Sequence, residues 1–556
     1  MSTREERGRD VVRQSGITSV AAAFAIASGL LLDVSVAKRF GATGSTDAFF
    51  QAALIPLGLV AVVMVGANQA LVPAITTWLL SKGNDETWRL CSILLGATLI
   101  GGLVLAGVAT LIAWPLMRVI SLGFSAAQVD LATSLFPIMF LIVPLVAMAE
   151  VFRALLNARY SFFAPAFMNV VMNGVAAAIV LGWGGSLGVV AWAYVAGAAA
   201  QLVFMLVIAL LRGFRPRLSL AVRDPDVVAA GRLLVRPLAG AGLNPLARVG
   251  ERALVSFLPG GSITLLNYGY RLISAIGGSV LFRSVMVALL PRLTEAGHRE
   301  DRTDFTETTR LGVRIMLAIS IPLTALMAIL SVPATISIFH RGNLTRDEAA
   351  LLGVALAVYA LSLVGSAWQR AMLAPFFARM DTRVPLRNTL YGVAANLALV
   401  PLLVLPFGRD NGNAIVGVAA AYSLAQYVNV AHAWYRMRRD LGIHLEGMRG
   451  FVWRLVGASV VMSGVLAAGY ALLDLGSPQG RWRLLLETGA VAIAGMATFV
   501  ATLRLIGGGE FADLTHSLRP GRGARGGPGI PRPTAHDRPA APETSSGGQG
   551  GPGSRT

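Results

Sequence analysis

The chain has 556 residues, of which 55% are hydrophobic and only 14% charged; its mean hydropathy is +0.65 and its formal net charge +18. So few charges cannot cover the surfaces of several water-soluble domains, which excludes a soluble protein of this length. The single cysteine, Cys91, excludes an internal disulfide and any cysteine-based metal cluster.

A helix needs about 20 apolar residues to cross the roughly 30 Å of bilayer hydrocarbon. Runs of that kind recur along the chain, at about 17–37, 50–79, 91–116, 132–154, 163–183, 188–211, 233–257, 264–290, 312–338, 349–373, 386–406, 413–435, 451–474 and 484–506. The expected fold is therefore an all-α polytopic membrane protein with about 14 transmembrane helices. The first run lacks a small-residue cleavage site and reads as a retained span, not a signal peptide.

Basic residues set the expected orientation. Arg4, Arg7, Arg9 and Arg13 precede the first span, and Arg212, Arg215, Arg217 and Arg223 follow the sixth. Arg292, Arg299, Arg302 and Arg310 follow the eighth, Arg379, Arg383 and Arg387 the tenth, and Arg436, Arg438 and Arg439 the twelfth. Odd-numbered loops are short and nearly uncharged, as in "GWGGSLG" and "LPGGS". Both termini are expected in the cytoplasm, and the positive charge is accounted for by loops facing anionic lipid. Nucleic acid is not an expected partner, because no basic patch is interleaved with aromatic residues. From 507 the chain turns to Pro, Gly, Ser and Arg and is expected to be a disordered cytoplasmic tail.

Two halves of the chain resemble each other at an offset of about 217 residues. "GSTDAFFQ…LVPAIT" (44–76) matches "GSITLLNY…LLPRLT" (261–294), with Pro73 and Pro291 closing the spans. "FRALLNARYSFFAP" (152–165) matches "QRAMLAPFFARMDTRVP" (369–385), aligning Arg153 with Arg370. Six helices separate the copies, so they share one orientation, a plan used by secondary transporters with the substrate site between the halves. The expected divisions are a cytoplasmic N-terminus (1–15), an N-lobe of helices 1–6 (16–211), a cytoplasmic linker (212–232), a C-lobe of helices 7–12 (233–435), helices 13–14 (436–506) and the tail (507–556).

Ionisable groups inside spans are costly and are candidates for a functional cavity. Asp33 and Asp47 flank the first outer loop, and Asp47 favours its own helix dipole. Span seven places Arg248 and Arg252 four residues apart on one face, with Glu251 three residues from Arg248. Span eight places Asn267 and Arg271 on one face, and Arg283 about 120° away. Planar guanidinium groups in a partly dry cavity suit phosphate, so Arg248, Arg252 and Arg271 together form a candidate diphosphate site. Two alternatives stay open: an Arg248–Glu251 structural ion pair, and Arg252 snorkelling to an interface. Glu150 and Arg153 read as structural. No Walker loop, G-x-S-x-G elbow or metal-ligand histidine spacing occurs, so neither an enzyme nor a metal site is expected.

Several motifs, in this order, resemble the MurJ (MviN) family of lipid II flippases in the MOP exporter superfamily: "FGATGSTDAFFQAALIP", "QALVPAITTW", "ALLNARYSFFAPAFMNV", "NYGYRLISAIGGSVLFRSVMVALLPRLTEA", "FHRGNLTRDEAAL" and "RMDTRVPLRN". The resemblance runs from about 16 to 506. It implies two six-helix lobes around a cationic cavity, a final helix pair forming a lipid-tail groove, and alternating access in a bacterial cytoplasmic membrane. It also implies a polyprenyl-linked glycan as substrate; membrane lipid is the expected surroundings, cell-wall synthesis proteins stay open as partners, and a two-lobed transporter of this kind can work as a monomer. The family's acids fall on Asp33 and Asp47, and its eighth-span arginine on Arg271. The resemblance implies a second role for Asp47, closing the outer gate by pairing with a cation such as Arg39 or one from the other lobe. The first-span pattern S-R-x-L-G-x-x-R-D is matched only by "AIASGLLLD", without its arginines, and the second span "IPLGLVAVV" lacks the family's basic pair.

The expected function is to move a polyprenyl-diphosphate-linked glycan, lipid II first, between leaflets. The alternatives are another wall or capsule oligosaccharide, or a non-transporting scaffold for wall synthesis. No cofactor is expected; a coupling ion or the membrane potential stays open.

Overall fold

The computed structural model describes residues 4–217, 221, 224–277, 280–299, 301–408 and 410–506, with side chains from Val20 onward except at 235–237, 239–241, 243–244, 277, 280–281, 283–284 and 287–288. The expected tail, Arg223 and the side chains of Arg4, Arg7, Arg9, Arg13 and Arg283 lie outside the described residues.

Every described element is helical. In chain order the helices are α1 (Arg4–Phe40), α2 (Gly44–Gly66), α3 (Val72–Leu111), α4 (Ala113–Ile120), α5 (Ala126–Phe140), α6 (Ile142–Ala158), α7 (Phe163–Trp183) and α8 (Leu187–Leu211). They continue with α9 (Pro225–Val255), α10 (Ser262–Gly277), α11 (Val280–His298), α12 (Arg302–Phe339), α13 (Arg346–Ala378), α14 (Arg383–Val404), α15 (Ala414–Leu441), α16 (Met448–Leu472) and α17 (Arg481–Ile506). Each of the fourteen expected spans falls on these helices. Among the described residues, eleven segments are long and apolar enough to cross a membrane. One of them, Gly44–Leu111, holds the second and third expected spans together, while the charged α9 and the α10–α11 pair are not among the eleven.

Local chemistry sets several helix ends. Thr43 with Thr46 starts α2, Ser125 with Gln128 starts α5, and Thr345 with Glu348 starts α13; each pair is a reciprocal capping box. Between α2 and α3 the chain makes a π-helical turn at Ala67–Leu71, just before Pro73, which has no N–H to offer the ladder. Gly83, at φ 77°, then turns the chain from the second span into the third.

The repeat is visible in these turns. After α6, Arg159 and Tyr160 donate backward and Ser161 N–H reaches the Leu156 carbonyl; after α13, Arg379, Met380 and Asp381 repeat that pattern, with Asp381 N–H on Phe376. Tyr160 and Met380 share the same left-handed backbone, at φ 57° and 58°. Arg159 stacks on the Trp88 ring at 5.1 Å, and Arg379 stacks on Phe305 at 4.8 Å. The offset is 217 residues at Trp88 and Phe305 but 220 at the arginines and the turns. The sequence alignment of Arg153 with Arg370 at 217 therefore does not carry through this turn, because the second half is three residues longer than the first between these points.

In the first half α1 packs on α7, α7 on α8, α2 on α5 and α6, and α3 on α6. In the second half α12 packs on α13, α13 and α14 on α15, and α9 on α14, while α16 and α17 pair with each other against α12. The halves meet where α2 runs along α9 and α10, and where α1 touches α10 and α12. Loops sort by parity. Odd-numbered loops meet one another: Asn343 N–H donates to the Lys38 carbonyl, Gly123 N–H to Ser256 Oγ, and Gln128 Nε2 to the Gly44 carbonyl. Even-numbered loops do the same, through Arg159 on the Arg212 carbonyl, Arg310 on His444 and the Arg89–Asp224 ion pair. Two opposite ends, one richer in arginine than the other, are what a multi-pass membrane protein presents to the two sides of a bilayer.

Candidate functional site

Helix α10 collects most of the candidate residues. Its first turn is capped from the other half of the chain. The Asp47 carboxylate, on α2, accepts from Gly261 N–H at 2.7 Å, from Thr264 N–H at 2.7 Å and from Thr264 Oγ1 at 2.6 Å. Thr264 Oγ1 also lies 2.9 Å from Thr46 Oγ1. All of these groups are buried, so each polar atom needs its partner. Asp47 is thus bound by a helix N-terminus and its threonine, not by Arg39, whose guanidinium donates to the Leu181 carbonyl. Asp47 and Thr264 are 217 residues apart, so equivalent positions of the two repeats touch each other.

The loops around this contact are as close as backbone allows. Gly261 has φ +95°, and a Cβ there would collide with the Ala42 carbonyl. Gly342, at φ +59°, lies against the Lys38 carbonyl in the same way, and Asn343 Nδ2 donates to the Arg39 carbonyl at 2.7 Å.

Two turns further along α10, Arg271 reaches α1 and forms an ion pair with Asp33. Asp33 is buried, while 34% of the Arg271 side chain stays open. Arg271 Nη2 and Asn173 Nδ2 lie over Gly29, and Asn173 also approaches Ser28 Oγ at 3.4 Å. A guanidinium has five N–H donors, and one carboxylate cannot occupy them all. The geometry can therefore hold an anion beside Asp33, or exchange one carboxylate for a phosphate.

The other candidates lie deeper in the second half. Arg252 is buried and donates to the Ile263 carbonyl at 2.6 Å and to Asn267 Oδ1 at 3.3 Å, tying α9 to α10. It does not snorkel to a membrane surface. Arg248 lies over the Tyr270 ring at 5.0 Å, and Glu251 accepts from Asn396 Nδ2 at 2.6 Å. Glu251 thus takes its hydrogen bond from an amide on α14 and sits away from the odd-loop contact. These groups, with Gln369, Arg370 and Tyr422, line a cavity of about 280 Å³ between α9, α10, α13, α14 and α15. Neither Arg252 nor Arg271 is part of that lining, so of the three arginines only Arg248 faces this cavity. Arg153 pairs with Glu150 and donates to the Met64 carbonyl at 2.9 Å beside the π turn, the structural role expected of it. Among the described residues, no group of His, Cys, Asp and Glu is arranged to hold a metal ion.

Sequence reasoning missed Thr46, Gly261, Thr264 as an acceptor's partner, Ser28, Asn173 and Asn343. Each is a small polar residue or a glycine whose partner lies far along the chain, and local spacing carries no sign of such a pairing.

A family model described as lipid II flippase MurJ matches residues 36–478. A probable lipid II flippase MurJ of Vibrio cholerae is 28% identical over 518 residues, covering 86% of this chain and 93% of its own. The lipid II flippase MurJ of Burkholderia cenocepacia is 26% identical over 459 residues, covering 79% and 86%. Among solved structures, a lipid II flippase MurJ in an inward closed conformation superposes with a TM-score of 0.71 at 19% identity, covering 90% of this chain and 99% of its own. An inward-facing MATE multidrug transporter of the MOP superfamily gives 0.60 at 13% identity, covering 76% and 96%. At these identities the structural matches speak to the fold.

Proposed function

Because the chain belongs to the lipid II flippase MurJ family, we propose that it carries lipid II from the cytoplasmic to the outer leaflet of a bacterial inner membrane. On this reading the basic loops and both termini face the cytoplasm, following the excess of arginine there. The odd-loop contact at Asp47 and Thr264 is then the closed outer end, and the molecule is shut toward the outside. The prenyl tail stays in lipid while the diphosphate and sugar enter between the halves. Rocking of one half against the other would break the Asp47 contacts and open the outer end.

The observation that carries this reading is the Arg271–Asp33 pair: a cation and an acid from different halves, buried between them, with part of the guanidinium open. A diphosphate competing with Asp33 for Arg271 would couple substrate arrival to the contact between the halves, which is the differential interaction a two-state transporter requires. The chain's task is binding and translocation, with no bond made or broken. Arg248 and Arg252 are assigned supporting roles, Arg252 by holding α10 against α9.

The test is rescue of a bacterium depleted of its own lipid II flippase. Wild type is expected to restore growth and Arg271→Glu to fail while reaching the membrane in equal amount. Failure of wild type despite stable membrane expression would overturn lipid II as substrate.

A further inference from the structure

At the basic end, where α13, α15 and α16 meet, lies a cavity of about 490 Å³ that neither the Asp47 contact nor Arg271 uses. Its walls carry Trp368, Trp434 and Trp453 together with Arg438 and Arg449. Trp368 and Trp434 pack edge to face at 6.1 Å, and Arg438 lies over Trp434 at 5.9 Å. Trp453 is 73% exposed on the first turns of α16. Tryptophan and arginine together at the end of a span are the side chains that settle at the headgroup level of a bilayer.

Two further observations point to an anion. The Trp368 indole N–H is buried without a hydrogen-bond acceptor, which is unusual for a tryptophan donor. Helix α16 begins next to the cavity after Gly447, in a left-handed conformation, with no side-chain cap on its first N–H groups. Those groups carry the positive end of a 25-residue helix, and Arg449 stands in its first turn. Glu446 is also in the lining, so its formal charge, from two arginines and one glutamate, is +1. That matches the single negative charge of a phosphodiester better than a multiply charged anion.

We propose that this cavity binds the phosphodiester headgroup of an anionic phospholipid of the leaflet on the basic side. Arg438 and Arg449 flank the phosphate, the Trp368 N–H and the start of α16 supply neutral donors, and Trp453 lies along the upper acyl chain. The ligand is a bulk membrane lipid held at the edge of the second half, separate from the space between the halves. The proposal stands whether or not lipid II is the substrate; the orientation proposed above serves only to make the leaflet the cytoplasmic one.

Native mass spectrometry of the full chain in detergent, with phosphatidylglycerol or phosphatidylcholine of identical acyl chains, tests it. Wild type is expected to retain one phosphatidylglycerol in preference to phosphatidylcholine. The double variant R438A/R449A is expected to lose that preference, at about fivefold for each guanidinium, while Arg439→Ala keeps it. Trp368→Phe preserves the aromatic wall and removes only the indole donor, and should lower retention severalfold even if the double variant unfolds. Equal retention of the two lipids by wild type, or undiminished retention in folded R438A/R449A, overturns the proposal. Displacement of phosphatidylglycerol by millimolar inorganic phosphate would also overturn it, assigning the cavity to free phosphate.

Discussion

The Asp47 carboxylate stands in the first turn of α2, where an acid at an exposed end would favour that helix's own dipole by about 0.3–1 kcal/mol. Its oxygens are instead taken by the first turn of α10, so one residue caps a helix in the other half of the chain. Asp47→Ala leaves the Gly261 and Thr264 donors buried without an acceptor, a loss of about 1–3 kcal/mol for each group left unsatisfied. On the proposed orientation, the outer end should then open. With the single native cysteine buried, a cysteine placed at the buried Ala48 reports this: its labelling by a membrane-impermeant maleimide should rise at least severalfold in Asp47→Ala. An unchanged labelling rate would remove Asp47 from the closure. Arg252 and Arg271 separate at the same scale. Arg252→Leu should lower the thermal midpoint, because the Ile263 carbonyl loses its donor at about 1–3 kcal/mol. For Arg271 and Asp33 the single leucine substitutions should each cost more than the double substitution, since removing one partner strands the other in a buried site. Additive losses in that cycle would mean that the pair is not coupled.

Among the elements, the turns that end α6 and α13 put Tyr160 and Met380 into the left-handed region, where a side chain meets the following carbonyl at about 1–2 kcal/mol. Glycine removes that strain but gives back part of it through the freedom it gains when unfolded. Tyr160→Gly and Met380→Gly are each expected to raise stability slightly, by about 0.5–1 kcal/mol, and by similar amounts because the turns are equivalent. Thermal unfolding in detergent measures both, and destabilisation by either would argue that its side chain contributes more than the strain costs. Gly261 is the opposite case. Gly261→Ala combines a left-handed backbone with a collision against the Ala42 carbonyl, and should separate the loops that Asp47 holds together.

Across the whole molecule, the two halves touch at the odd loops as backbone against backbone. Gly260 lies beside Gly44 and the Thr43 carbonyl carbon, so cysteines introduced at Thr43 and Gly260 would sit on touching loops and are the pair to cross-link. Oxidation of that double variant is expected to stop lipid movement in reconstituted vesicles, and a reductant to restore it. Movement that continues under complete cross-linking would exclude an outward opening at these loops. The polar cavity holding Arg248, Glu251 and Arg370 belongs to the second half alone, so locking the odd loops should leave its lining intact.

The spans, their alternation of basic and neutral loops and the doubling of the chain were all legible in the residues. A bilayer requires each span to satisfy its own backbone and bury its own apolar run, so the information is local and periodic. The capping boxes at Thr43, Ser125 and Thr345 are local in the same sense. The three-residue shift of the repeat was not legible, because it lies between apolar helices whose residues resemble one another at any offset. Nor were the partners of the charged groups. Nothing near Asp47 announces Thr264, and nothing near Arg271 announces Asp33, 238 residues away. Spacing along α9 and α10 put Arg248, Arg252 and Arg271 on suitable faces; packing then sent Arg248 to Tyr270, Arg252 to Ile263 and Arg271 to the other half. The sequence by itself determined which residues are too polar for lipid and must find partners within the protein. Only the tertiary structure decided which partners they find, because hydrogen bonds and ion pairs between distant helices depend on how the helices pack and not on their order in the chain.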